Sequence, residues 1–332
     1  MKKNKDISVL IPVYNVEKYV EECLTSLLNN TIINQAEIIM DDDGSSDNSM
    51  QVINSFLDKH PDLKKKTKIL SNPGNKGIAY TRQRLLDEAT GEYIIFVDSD
   101  DTVAPTYLEK LYSTAKETNA DIVQCNYRRI TKNNKIEIGS LPINTDPYKN
   151  ILAKLDNKIP SFLVTRLIKR ELIVDNNIKY EDMDVIYGED EFLLYRLLCH
   201  AKLIEFVDEP LYNYIWHKTS VTSSIVKNNL AVSKIKVMNY SEEYILKFYS
   251  SDEIKDYILR RKLFTKIYLI FRSNIYKQNE YRKLWPETDA IIKKSNIPYY
   301  KKIVLANVPV LSNIILLIVG LIKYQFIYFK KQ

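Results

Sequence analysis

The sequence predicts an α/β fold with a parallel sheet at its centre, and three observations carry that prediction. Short apolar runs alternate with stretches of helical period over residues 7–100. The apolar runs are unbroken rather than alternating, as strands buried on both faces are. Polar, acidic and glycine residues gather directly after those runs, at the strand ends where open α/β sheets place their ligands.

Each element follows from its own pattern. Residues 7–11 read as the first strand. Val16, Val20, Cys23, Leu24, Leu27 and Leu28 recur at helical spacing, so a helix is expected over 16–28 with Asn15 as N-cap. Residues 38–40 and 46–57 give a second strand and helix, and 68–70 a third strand. A third helix over 78–89 should close before Gly91, and 93–97 is the fourth strand. After residue 105 the pattern becomes α+β. A helix is expected over 107–118, strands over 121–130 and 135–138, a helix over 189–198 and a strand over 211–216. From 226 to 332 the chain reads as helices rich in Lys, Tyr, Ile and Leu.

Composition narrows the function classes. The net charge is +6, yet the basic residues form no single block, and there is no zinc-finger spacing or recognition-helix motif. Nucleic acid is therefore not expected as a partner. Cys23, Cys125 and Cys199 are scattered and include no C-x-x-C pair, which points to buried thiols in a reducing compartment. The opening apolar run is cut by Pro12 and is too short for a signal sequence, so the bulk of the chain is expected in the cytoplasm. The most apolar stretch is 303–322, flanked by Lys301-Lys302 and Lys330-Lys331. It contains Asn307, Pro309, Ser312, Asn313 and Gly320, so three placements stay open: a span, a helix or hairpin in the membrane interface, and a buried core helix. Contact of 303–329 with an anionic membrane surface is the expectation.

Three clusters could carry chemistry. Asp98-Ser99-Asp100-Asp101 closes the fourth strand, and crowded carboxylates there call for a cation. Hard divalent metals take such oxygen ligands and share them with phosphates; an acidic capping loop is the plainer reading. In Asp42-Asp43-Gly44-Ser45-Ser46-Asp47, Asp43 could accept from the N–H of a nucleotide base, or the segment is an ordinary strand-turn-helix link. Gly188-Glu189-Asp190-Glu191 opens a helix, where acidic residues suit the dipole; a general base facing an acceptor hydroxyl is the functional reading.

Taken together, these motifs resemble those of family 2 glycosyltransferases. The set is Ser8 to Asn15, the segment Asp42 to Asp47, Asn75-Lys76-Gly77 with Arg82, Gly91-Glu92-Tyr93, Asp98 to Asp101, and Gly188-Glu189-Asp190, in order over roughly the first 220 residues. The resemblance implies a GT-A fold and an inverting transfer, with Mn²⁺ or Mg²⁺ as cofactor. It implies that Pro12, Val13 and Tyr14 line the nucleotide pocket, that Asp43 binds a uracil-type base, and that Arg82 lies near the donor phosphates. Asp98 and Ser99 would face the donor, with Asp100 and then Asp98 on the metal. Asp190 would be the catalytic base and Glu189 its neighbour on the acceptor side. His217 is a further candidate for the metal or a phosphate, against the commoner case of a hydrogen-bonded histidine. The implied domains are a glycosyltransferase domain over 1–225, with a nucleotide-binding half (1–104) and an acceptor half (105–225), and a helical C-terminal region over 226–332.

The implied partners are a nucleotide-sugar donor, expected to be a UDP-sugar, and a saccharide or lipid-linked saccharide acceptor at the inner face of the membrane. Self-association into a homo-oligomer is left open. Departures from the family pattern are Asp41 in place of an apolar residue, expected to loosen the end of the second strand, Gln83 in place of Asn, and Ile215 at a position that is often Arg. Two other classes fit the sequence less well. A sugar-phosphate nucleotidyltransferase would want a glycine-rich loop after the first strand, and Pro12-Val13-Tyr14-Asn15 has none. A non-catalytic donor-binding or scaffold partner of a polysaccharide synthase would have no need of intact Asp98, Asp100 and Asp190.

Overall fold

A computed structural model describes residues 6–133, 135–139, 144–180, 185, 187–217, 227–272 and 280–292. The expected membrane-contacting segment, 303–329, lies outside the described residues. Among the described residues, no helix is long and apolar enough to cross a membrane.

The first strand, β1 (Ile7–Val13), is buried at every position. It pairs in parallel with β2 (Ala36–Asp42) on one side and β4 (Tyr93–Phe96) on the other, and β3 (Thr67–Ser71) extends the parallel set beyond β2. Helices α1 (Val20–Leu28), α2 (Ser49–Lys59) and α3 (Ile78–Glu88) are the crossovers. Strand order runs β3-β2-β1-β4, so the chain reverses direction across the sheet after β3. Right-handed crossovers then require α3 on the face opposite α1 and α2. In keeping with this, α1 packs on α2, while α3 lies across β1 and β2. The reversal leaves a crevice at the carboxyl ends of β1 and β4, the switch point where such sheets bind ligands.

Past β4 the sheet becomes mixed, as the second half of the sequence predicts. A two-residue strand, β5 (Thr102–Val103), is followed by α4 (Tyr107–Thr118), β6 (Ile122–Ile130) and β7 (Ile136–Gly139). Then come α5 (Pro147–Leu155), β8 (Arg166–Lys169), α6 (Arg170–Asp175), α7 (Glu189–His200) and β9 (Ile204–Ile215). The order continues β4-β8-β6-β9-β5, with β8 antiparallel to both β4 and β6, and β7 pairs with β6 off this path to make nine strands in one sheet. Two long helices follow, α8 (Lys227–Phe248) and α9 (Asp252–Arg272). They are joined to the main core, since Met238, Ile245, Ile254 and Ile258 belong to the same buried cluster as β1 and β4.

Several local expectations are corrected. Asn15 is not an N-cap, and α1 begins at Val20. Asn15 sits at φ +52°, and its Oδ1 accepts from the Ser46 N–H at 2.8 Å, so it ties the loop after β1 to the loop after β2. Gly91 is not a helix stop. It lies where the chain crosses the start of β1, and a Cβ there would come within 2.5 Å of the Ser8 nitrogen. Gly91→Ala is therefore expected to cost about 1–3 kcal/mol through forced backbone displacement, read as a lower urea midpoint at unchanged m-value. Asp41 does not loosen β2: the strand keeps register through Asp42, with Asp41 opposite Pro12 and Leu70. An Arg84 guanidinium 3.4 Å away supplies the countercharge.

Candidate active site

The segment just after β4 carries three carboxylates, and the structure gives each a different environment. Asp101 is buried and holds the fold together. Its Oδ1 accepts from the Ile215 N–H at 2.7 Å and its Oδ2 from the Tyr212 hydroxyl at 2.7 Å, tying the β4 end to β9. The same hydroxyl accepts from the Asp98 N–H at 3.2 Å. Asp98 extends its side chain to Arg82, whose Nη2 donates to Asp98 Oδ1 at 3.0 Å. Asp100 forms no ion pair among the described residues; burial and the neighbouring Asp98 raise its carboxyl to about 6, with His217 opposing.

Arg82 is the hub. It projects from α3 over the Phe96 ring and its side chain is 5% exposed. Besides Asp98 it contacts two carboxylates from the first turn of α7: its Nη1 donates to Glu189 Oε1 at 2.8 Å and to Asp190 Oδ1. One guanidinium thus draws together residues from α3, β4 and α7. Burial works against its charge, but Asp190, Asp98 and Glu189 outweigh that and keep it protonated. Burial pushes the Asp190 carboxyl up to about 7; Arg82 resists the rise, while Glu189 and Asp98 add to it. A carboxyl poised there can take a proton near neutral pH.

The next residue anchors the helix that carries this pair. Glu191 Oε1 accepts from Arg261 of α9 at 2.8 Å, and Oε2 lies 3.6 Å from Lys154 of α5. Lys154 is 2% exposed, and burial lowers its amine to about 8. The start of α7 is therefore gripped on one side by Arg82 and on the other by the helical C-terminal region.

Comparison with known proteins decides the family. The model described as Glycosyl transferase family 2 matches residues 8–173. The chain belongs to that family. It is 29% identical over 253 residues to the Escherichia coli K12 glycosyltransferase YibD, covering 74% of this chain and 70% of that protein. It is 27% identical over 300 residues to the cholesterol galactosyltransferase of Borreliella burgdorferi, covering 82% and 80%. Among solved structures, it resembles S. aureus TarS 1–349 in complex with UDP-GlcNAc, with TM-score 0.71 and 20% identity over 93% of this chain and 89% of that one. The fold is the GT-A fold, and the protein is a glycosyltransferase.

In this family 2 glycosyltransferase, Pro12 and Val13 are buried at the end of β1, and Tyr14, the next residue, is 42% exposed. Ser99 is buried between Asp98 and Asp100. Asp43 is also buried; it accepts from Asn72 Nδ2 at 3.0 Å, from the Lys76 N–H at 2.7 Å and from the Gly77 N–H at 2.8 Å. Gly44, at φ +74°, lets its loop approach Gly74 so closely that a Cβ would come within 2.7 Å of that backbone. His217 donates from Nε2 to the Asp100 carbonyl oxygen at 2.9 Å, and its ring centroid lies 3.8 Å from that of Tyr19.

Three residues of the site carry no sequence motif. Tyr212 gives itself away only as one of many tyrosines. Arg166 is a charge inside an apolar run, nearly fully buried, with its guanidinium capped by the Phe162 and Pro160 carbonyl oxygens. Tyr180 is fully buried beside Arg82, and its N–H donates to Gln83 Oε1 at 2.8 Å. That bond gives Gln83, the departure from the family's Asn, a task of its own.

Proposed function

We propose that this glycosyltransferase moves a sugar from a UDP-type nucleotide-diphosphate donor onto a hydroxyl of a saccharide or lipid-linked saccharide, with inversion, in the building of a cell-surface polysaccharide or glycolipid. The observation that carries the reading is the Arg82 hub, which joins Asp98 of the donor side to Asp190 and Glu189 of the acceptor side within one guanidinium's reach. The complex of TarS with UDP-GlcNAc supports the donor class.

In this reading Asp190 accepts the proton of the acceptor hydroxyl. The hydroxyl oxygen forms its bond to the anomeric carbon as the bond from that carbon to the diphosphate oxygen breaks, and the diphosphate leaves with the electron pair. Arg82 is the cationic side chain placed to meet negative charge growing on the leaving group. Asp43 faces the base, with Pro12, Val13 and Tyr14 around it. Glu189 borders a small hollow also lined by Tyr180, Val185, Phe192 and Tyr240.

The residues fit a divalent cation. Asp100 forms no ion pair among the described residues, Asp98 stands beside it, and Mg²⁺ or Mn²⁺ needs only one or two carboxylates when a diphosphate completes its shell. No group of three such side chains is arranged for a metal among the described residues. The mannosyltransferase PcManGT from Pyrobaculum calidifontis, in complex with GDP-Man and Mn²⁺, shares the fold at TM-score 0.56. When bound, the cation would neutralise charge on the diphosphate. His217 would support Asp100 through its carbonyl. A cytoplasmic location, with 303–329 on the anionic inner face of the membrane, belongs to the same proposal.

The test is UDP release from a panel of UDP-sugars with Mn²⁺ and with EDTA. Turnover of one donor with Mn²⁺ and its loss in EDTA are expected, and Asp100→Ala should lose metal-dependent UDP binding. A gain in UDP binding with Mn²⁺ as large in Asp100→Ala as in the wild type would reject the cation's place, and no turnover of any UDP-sugar would reject the UDP-type donor.

A further inference from the structure

Asp41 is wholly buried, and neither carboxylate oxygen accepts a hydrogen bond. Burial pushes its carboxyl up to about 6 even with Arg84 opposing. A buried carboxylate in such a place costs stability, and an apolar residue of similar size would be cheaper. Its presence calls for a compensating use, and the contacts of Arg84 supply one.

Arg84 sits two residues after Arg82 on α3 and turns the other way, toward β2 and β3. Its Nη1 lies 3.4 Å from Asp41 Oδ1, donates to Ser71 O at 3.4 Å and donates to Asn72 Oδ1. With its oxygen held by a cation, the Asn72 amide must turn its NH₂ the opposite way. There it donates to Asp43 Oδ1 at 3.0 Å. Asp43 in turn accepts from the Lys76 and Gly77 N–H groups, the turn that opens α3. A flipped Asn72 would face NH₂ to guanidinium and oxygen to carboxylate, both repulsive.

We infer that Asp41 and Arg84 are positioning residues for the donor pocket: they fix the Asn72 amide, and through it the Asp43 carboxylate and the 76–77 turn. Asp41 anchors the guanidinium, and Arg84 sets the amide. Asp43 keeps an acceptor position on Oδ2, aimed by this chain of contacts. The inference rests on the proposed role of Asp43 toward the nucleotide base.

The experiment measures UDP affinity by calorimetry in Mn²⁺, and thermal unfolding, for four variants. Asp41→Val should melt at or above the wild-type temperature yet bind UDP about three- to tenfold more weakly, the effect of one misaligned hydrogen bond. The double variant Asp41→Val with Arg84→Met should behave alike, and Arg84→Lys should bind better than that double variant. A purely structural pair would lower the melting temperature and leave UDP affinity alone. Asp43→Ala separates the two readings. If it weakens UDP binding while Asp41→Val and the double variant do not, the positioning role is overturned and the donor pocket stands. If Asp43→Ala itself has no effect, the donor pocket falls.

Discussion

Asp190→Asn is expected to lower sugar transfer by about 10²–10⁴-fold, the usual contribution of a general base, while UDP affinity stays within about twofold. Asparagine keeps the shape and can still accept from Arg82, but its amide takes no proton from an alcohol. The pH profile makes the test specific. The wild-type carboxyl is raised to about 7, first by burial and then by Glu189 and Asp98 against the pull of Arg82. A base acts in its deprotonated form, so the rate should climb through pH 7 and level above it. The residual rate of the variant should lack that limb. Full turnover by Asp190→Asn would remove this residue from the role and turn attention to Glu189, the other carboxylate on the same guanidinium nitrogen.

Arg82→Met should produce the largest loss of stability, about 3 kcal/mol. That is the low end for removing one partner of a buried ion cluster, because Asp98 is 30% exposed and water screens its share. Three carboxylates would remain around an apolar side chain, and Asp190 and Glu189, raised by burial, would lose the cation that opposes the rise. A folded state with raised carboxyl pKa values binds more protons than the unfolded chain, so its stability falls as pH rises. The deficit relative to wild type should therefore be greater at pH 8 than at pH 5.5, as read from urea midpoints at both. An equal loss at the two values would mean that Arg82 acts through packing alone.

The parts of the fold legible in the sequence were those with a one-dimensional signature. β1 and β4 are unbroken apolar runs, and α1 shows its buried stripe at Val20, Cys23, Leu24 and Leu27. β8 is central to the sheet and gave no such signal. It has four residues, Arg166 and Lys169 bound it, and the Arg166 charge is tolerated only because backbone carbonyls of the preceding turn cap it. The candidate site divides in the same way. That carboxylates cluster after β4 and at the start of α7 could be read directly. Which of them is paired could not, because Arg82 meets Asp98 at a separation of 16 residues but Glu189 and Asp190 at 107 and 108. The task of Asp101 was hidden for the same reason, its partner Tyr212 being 111 residues away.

The grip of Arg261 on Glu191 bears on how this enzyme could be re-engineered. Exchanging its rear helices for those of a relative, in the hope of redirecting it to another acceptor, would strip the half-buried Glu191 of a cation one residue from Asp190. A working chimaera would have to carry an arginine at the equivalent place in the donated helix, or replace Glu191 and Lys154 together with apolar side chains. Modules that look interchangeable along the chain are, in this protein, wired to each other by charge.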